Sequence, residues 1–116
     1  MEESNDNIKK TILVAEDVES NFLLLKALLG KTYNLLHAYN GSEAVEMFDN
    51  NQPDLILMDV KMPVMDGLEA TRIIRQKSTE IPIIALTAFA FDQDRIRVME
   101  AGCNDFLTKP LSPPLL

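Results

Sequence analysis

DLILMDVKMPVMDG, Asp54–Gly67, decides the fold. Leu55–Met58 form an unbroken apolar run that ends in a carboxylate, Asp59. A short, continuously apolar run bounded by turn signals suits a strand buried on both faces. Pro63 and the Asp66-Gly67 pair supply the turn signals. The strand is fit for a dry interior, yet it delivers a charge at its carboxyl end.

The same design recurs to either side. TILVA (Thr11–Ala15) is a buried strand ending in the Glu16-Asp17 pair. From Asn21 the period becomes helical, with Phe22, Leu25, Leu28 and Leu29 on one face and Gly30 as the stop. NLLHAY (Asn34–Tyr39) is a second strand. Ser42 is the expected N-cap of the helix carrying Val45, Met47 and Phe48, and Pro53 marks a turn. After the third strand, Leu68–Arg75 reads as a helix following Gly67. IPIIAL (Ile81–Leu86) is a fourth strand, Arg95–Ala101 a helix closed by Gly102, and DFLT (Asp105–Thr108) a fifth strand. Strands alternate with helices, and the strands are continuously apolar. Both features predict an α/β fold with a parallel sheet covered on two faces. A fifth helix is expected after the fifth strand, but the tail reads LSPPLL. Its two prolines oppose a helix beginning before them, so a C-terminally truncated unit is expected.

Composition narrows the class. The chain has 116 residues, one domain by length, with a formal net charge of −7. That balance argues against direct contact with nucleic acid or an anionic membrane surface. The one cysteine, Cys103, excludes an internal disulfide. The polar start, residues 1–10, reads as a flexible lead-in to a unit spanning 11–116. It is not a signal peptide, and no apolar run is long enough to span a membrane. A cytoplasmic protein is expected.

In doubly wound sheets, chemistry collects at the carboxyl ends of the strands. There the sequence delivers Glu16 and Asp17, Asp59, Thr87 and Lys109 from four strands. Three close carboxylates repel, and one would keep its proton unless a cation intervened. A divalent ion and Lys109 would balance them. An all-oxygen donor set selects a hard ion such as Mg2+. A carboxylate beside Mg2+, an ammonium and a hydroxyl suits in-line attack on phosphorus.

The segments VAEDVESN (Val14–Asn21), DLILMDVKMPVMDG, IPIIALTA (Ile81–Ala88) and NDFLTKP (Asn104–Pro110) together resemble the receiver domains of two-component response regulators. The wording EDVESN, ALTA and GCNDFLTKP is similar to receivers attached to hybrid sensor histidine kinases. The resemblance implies a flavodoxin-like doubly wound five-stranded parallel sheet, order 2-1-3-4-5. It makes Asp59 the phosphoacceptor, served by a sensor histidine kinase or a histidine phosphotransfer domain. Glu16, Asp17 and Asp59, with the main-chain carbonyl of Lys61, would hold Mg2+. Thr87 and Phe106 would be the switch pair, Lys109 would pair with the phosphoryl group, and Lys109-Pro110 would be a cis peptide. Phe89 would flank the attacking water and lengthen the phosphorylated lifetime. Such a domain is a signalling phosphoacceptor with its own phosphorylation and dephosphorylation chemistry, not a turnover enzyme.

Competing readings are weaker. A haloacid-dehalogenase-type phosphohydrolase needs a second Asp two residues after the first, where Lys61 stands. A flavin-binding protein of this topology needs a Ser/Thr-Gly phosphate loop after the first strand, where this sequence has EDVESN. A degenerate receiver, serving as a non-phosphorylated interaction module, conflicts with the full set of site residues. An incomplete fold could also pair as a homodimer. Outside the site, His37 reads as a packed or edge histidine and Cys103 as a small buried apolar residue. Arg72, Arg75 and Lys77 read as a solvated basic helix face.

Overall fold

The computed structural model describes residues 9–87 and 92–109. Five strands form one parallel sheet: β1 (Thr11–Ala15), β2 (Asn34–Ala38), β3 (Leu55–Asp59), β4 (Ile83–Thr87) and β5 (Asp105–Thr108). Their spatial order is β2-β1-β3-β4-β5, as the resemblance implied. Among the described residues four helices alternate with them: α1 (Glu19–Leu29), α2 (Gly41–Asn51), α3 (Gly67–Lys77) and α4 (Asp92–Ala101). Among the described residues no helix follows β5. The tail that bears on a fifth helix, residues 110–116, lies outside them, as do residues 1–8 of the lead-in.

The apolar strands are buried on both faces. Leu13 and Ala15 of β1, Ile56 and Met58 of β3, and Ile83 and Ala85 of β4 join the larger core cluster, with Ala44, Leu68, Ile74 and Val98 from α2, α3 and α4. The alternate residues Ile12, Val14, Leu57 and Leu86 pack with Phe22 and Leu25 of α1. This period of two, apolar in both phases, is why the strands read as continuous runs. The second face carries α1 alone among the described residues. A cleft of about 450 Å3 beside it is lined by Leu29, Tyr33, Leu57, Ile84 and Leu107.

Parallel register brings every carboxyl end to one edge. Ala15 pairs with Ala38 and with Met58, Asp59 with Leu86, and Thr87 with Thr108. The chain leaves β1 toward β2 on one side and returns to β3 on the other. The edge above β1 and β3 is therefore the topological switch point, where doubly wound sheets open a crevice.

Element boundaries differ from expectation in instructive places. α1 begins at Glu19, two residues early, and its N-cap, Val18, makes no side-chain cap bond. The cap of α2 is Asn40, whose Oδ1 accepts the Glu43 amide at 2.8 Å, and Ser42 lies inside the first turn. Both residues are cap formers two positions apart, and the longer amide side chain makes the bond. β4 begins at Ile83, because Pro82 has no N–H to give the ladder; its carbonyl still accepts from Ile56.

Candidate functional site

The site is built from strand ends and the turns after them. Asp59 is the last residue of β3 and only 5% exposed. Its Oδ1 accepts the Lys61 amide at 3.2 Å and its Oδ2 accepts Lys109 Nζ at 3.0 Å. The turn behind it is held by Val60 N–H to Leu86 O and Gly67 N–H to Val60 O, each near 3 Å. A Cβ on Gly67 would fall on the carbonyl oxygen of Asp59, so only glycine lets α3 start this close to β3. Asp66 caps that helix, accepting the Glu69 amide at 2.9 Å. Between them Val64 has φ of 69°, and Met65 N–H reaches Pro63 O at 2.7 Å. A bond from i+2 across a residue of positive φ describes a strained γ-turn, here on a β-branched residue.

Glu16 leaves the end of β1 and is fully buried. One carboxylate oxygen, Oε2, accepts the Val18 amide at 3.2 Å. The other, Oε1, lies 2.9 Å from Lys109 Nζ, an ion contact, yet accepts no hydrogen bond of good geometry. Asp17 completes the acidic set: one oxygen from each of Glu16, Asp17 and Asp59 lies within 4.8 Å of the others. Lys109 follows β5, its amide bonded to Thr87 O at 2.8 Å. Thr87 itself ends β4 and is buried. Asp17, Asp59, Lys61, Thr87 and Lys109 line one cavity of about 350 Å3.

The charges are mutually adjusted. Burial, helped by the charge of Glu16, pushes the Asp59 carboxyl up to about 6 despite the Lys109 contact. Burial also works against ionisation of Glu16, but the Lys109 ammonium and the Val18 amide outweigh it and hold that carboxyl below its usual range. Burial opposes the Lys109 charge too, and the two carboxylates reverse this, so its ammonium is held above the usual lysine range. One lysine between two buried carboxylates leaves excess negative charge. The residues fit a hard divalent cation: three converging carboxylates, all-oxygen donors, and a buried Oε1 without a hydrogen-bond partner.

A family model described as the response regulator receiver domain matches residues 12–116. The chain belongs to this family. A polar-differentiation response regulator, DivK, of Brucella anthropi is 37% identical over 108 residues, covering 90% of this chain and 88% of its own. The receiver domain of sensor histidine kinase PA1611 from Pseudomonas aeruginosa, solved with magnesium in its active-site cleft, is 38% identical. Its TM-score is 0.86, covering 93% of this chain and 91% of that one. A chain of the co-crystal structure of the Saccharomyces cerevisiae phosphotransfer protein Ypd1 with the receiver domain of Ssk1 is 32% identical. Its TM-score is also 0.86, covering 92% and 83%. The domain is thus a receiver of two-component signalling, and a solved receiver similar to it carries magnesium at its active site.

Of the residues singled out in this receiver's sequence, Glu16, Asp17, Asp59, Lys61, Thr87 and Lys109 come together. Phe106 does not line the cavity. It lies along β5, packed against the larger core, with the Arg95 guanidinium 5.1 Å above its ring. Pro110 and Phe89 lie outside the described residues, and with them the cis-peptide and water-flanking expectations. Cys103 is buried as expected, which pushes its thiol up. Arg75 corrects the basic-face reading. It bonds Gly102 O at 2.8 Å, Ser78 O at 3.1 Å and Asn104 Oδ1 at 2.9 Å, pinning α3 to the turn before β5. Lys77 pairs with Asp49 at 2.6 Å. The sequence reading missed Arg97 of α4, which lines the cavity. No local pattern marks it, because its place depends on how α4 packs. Among the described residues, no helix is long and apolar enough to cross a membrane.

Proposed function

We propose that this receiver is a phosphoacceptor, taking a phosphoryl group from a phosphohistidine onto Asp59 in a Mg2+-dependent reaction. The observation that carries the reading is the contact of Lys109 Nζ with Asp59 Oδ2 at 3.0 Å, beside the converging carboxylates of Glu16 and Asp17. Glu16, Asp17, Asp59 and the Lys61 carbonyl would hold the ion. Bound there, Mg2+ supplies charge neutralisation for the phosphoryl oxygens.

A carboxylate oxygen of Asp59 attacks phosphorus in line. A P–O bond forms as the P–N bond breaks, and the electron pair and the imidazole leave together. β3 holds the nucleophile rigid, and the Lys61 amide fixes its second oxygen. The Lys109 ammonium follows the charge from the carboxylate to the phosphoryl oxygens. The Thr87 hydroxyl then donates to one of these oxygens, and Phe106 moves with it. This selects one of two pre-existing conformations, which is how the signal leaves the domain. The reaction is self-directed signalling chemistry rather than turnover of an outside substrate. The unit running from residue 11 onward carries it, in the cytoplasm.

The donor is a sensor histidine kinase or a histidine phosphotransfer domain, a reading supported by the similarity to a chain solved in a phosphotransfer complex. The test is intact mass after incubation with acetyl phosphate, with and without Mg2+, beside Asp59→Asn. One phosphoryl adduct that requires Mg2+ and is absent from the variant is expected. A folded wild type without adduct refutes the reading and leaves an interaction module.

A further inference from the structure

The peptide that joins Glu16 to Asp17 lies beyond the end of β1, where the ladder no longer dictates its orientation. Its plane nonetheless sets the directions in which both carboxylates leave the chain. A side chain of β2 holds it instead. The preceding peptide still follows the ladder, Glu16 N–H donating to Ala38 O at 2.9 Å, but the Glu16 carbonyl lies 2.8 Å from His37 Nε2. A carbonyl can only accept, so Nε2 carries the proton.

The imidazole is itself clamped. It stacks on Phe22 of α1, with ring centroids 3.8 Å apart and planes 7° from parallel. Tyr39 covers it at 4.0 Å, tilted by 33°. The Tyr39 hydroxyl donates to Glu19 Oε1 at 3.1 Å and its amide to Glu43 Oε1 at 2.8 Å. A packed core histidine needs none of this alignment toward a main-chain oxygen of the acidic pair.

We propose that His37 is a positioning residue for the cation site, its Nε2–H fixing the Glu16–Asp17 peptide so that both carboxylates converge with Asp59. The inference rests on the reading that Glu16 and Asp17 hold Mg2+. It differs from an ordinary ligand shell, in which the supporting group bonds the ligand side chain; here the support acts through the main chain.

The test is Mg2+ titration of the chelator-treated protein, followed by amide NMR shifts at Asp17 and Asp59. His37→Phe keeps the stacking and removes the donor. His37→Gln loses the ring but carries an N–H at the same reach. The Kd for Mg2+ is expected to rise about tenfold in the Phe variant. In the Gln variant it should stay within about threefold of wild type. Should the Phe variant fail to fold, His37→Asn decides instead, since its shorter amide falls short of the carbonyl and the same weakening is expected. Wild-type affinity in the Phe or Asn variant overturns the inference. So does a Gln variant as weak as Phe, which would make the ring's packing the cause. A wild type whose Asp17 and Asp59 amides ignore Mg2+ overturns the metal reading itself, and this inference with it.

Discussion

Asp59→Asn should stabilise the metal-free domain. The buried carboxyl is pushed up to about 6 from an ordinary 3.8, so folding opposes its ionisation. Two pH units at about 1.4 kcal/mol each place the upper bound of the penalty at about 3 kcal/mol at pH 7. Asn mimics the protonated acid, keeps an oxygen for Lys109, and leaves Glu16 to balance that ammonium. We expect a gain of about 1 to 3 kcal/mol. The sign in pH follows. A raised folded value contributes stability that is present below the unfolded value and lost as pH rises through about 6. Glu16 is shifted the other way from 4.5, so it costs stability only as pH falls below that value. Between about 4.5 and 6 the wild type should therefore weaken with rising pH, and Asp59→Asn should not. Urea melts in EDTA at several pH values measure both effects. Added Mg2+ should close the gap by binding the folded wild type. A metal-free variant less stable than wild type, with parallel pH profiles, would refute this account of the site's charge balance.

Other perturbations test separate parts. Lys109→Met leaves Glu16 and Asp59 buried without their shared ammonium and should cost about 3 kcal/mol in metal-free urea melts, a loss that Mg2+ partly restores. Arg97→Ala removes a cation from the cavity wall. It should tighten Mg2+ binding while slowing phosphorylation by acetyl phosphate, opposite signs that general damage cannot produce. Val64 is 84% exposed at φ of 69°, so Val64→Asn should raise stability by about 1 kcal/mol, read as a higher thermal midpoint.

The parts of this fold legible in the sequence are those set by local chemistry. The runs at Thr11–Ala15, Leu55–Met58 and Ile83–Leu86 could only be buried strands, and their parallel pairing placed Asp17, Asp59 and Lys109 on one edge. What stayed hidden depends on reach across the fold. Ser42 reads as the cap of α2, and Asn40 displaces it only once the entry angle of that helix is known. Arg75 reads as a surface cation until the turn at Gly102 is folded against it. His37 reads as packing until register sets it opposite Val14 and beside the Glu16 carbonyl. Arg97 enters the cavity only through the packing of α4. Conversely, Glu16, Asp17, Asp59 and Lys109 were legible as a cluster because each sits at or directly after a strand end, where position is fixed by the sheet.

The central claim is that Asp59 receives a phosphoryl group from histidine. The direct measurement incubates the domain and Mg2+ with a histidine phosphotransfer protein phosphorylated on its histidine, then traps the product with borohydride. Reduction converts an aspartyl phosphate to homoserine, and peptide mass mapping locates it. The account predicts loss of phosphate from the donor and homoserine at position 59 alone. Homoserine at another aspartate, or none while the donor loses its phosphate to this chain, would contradict it.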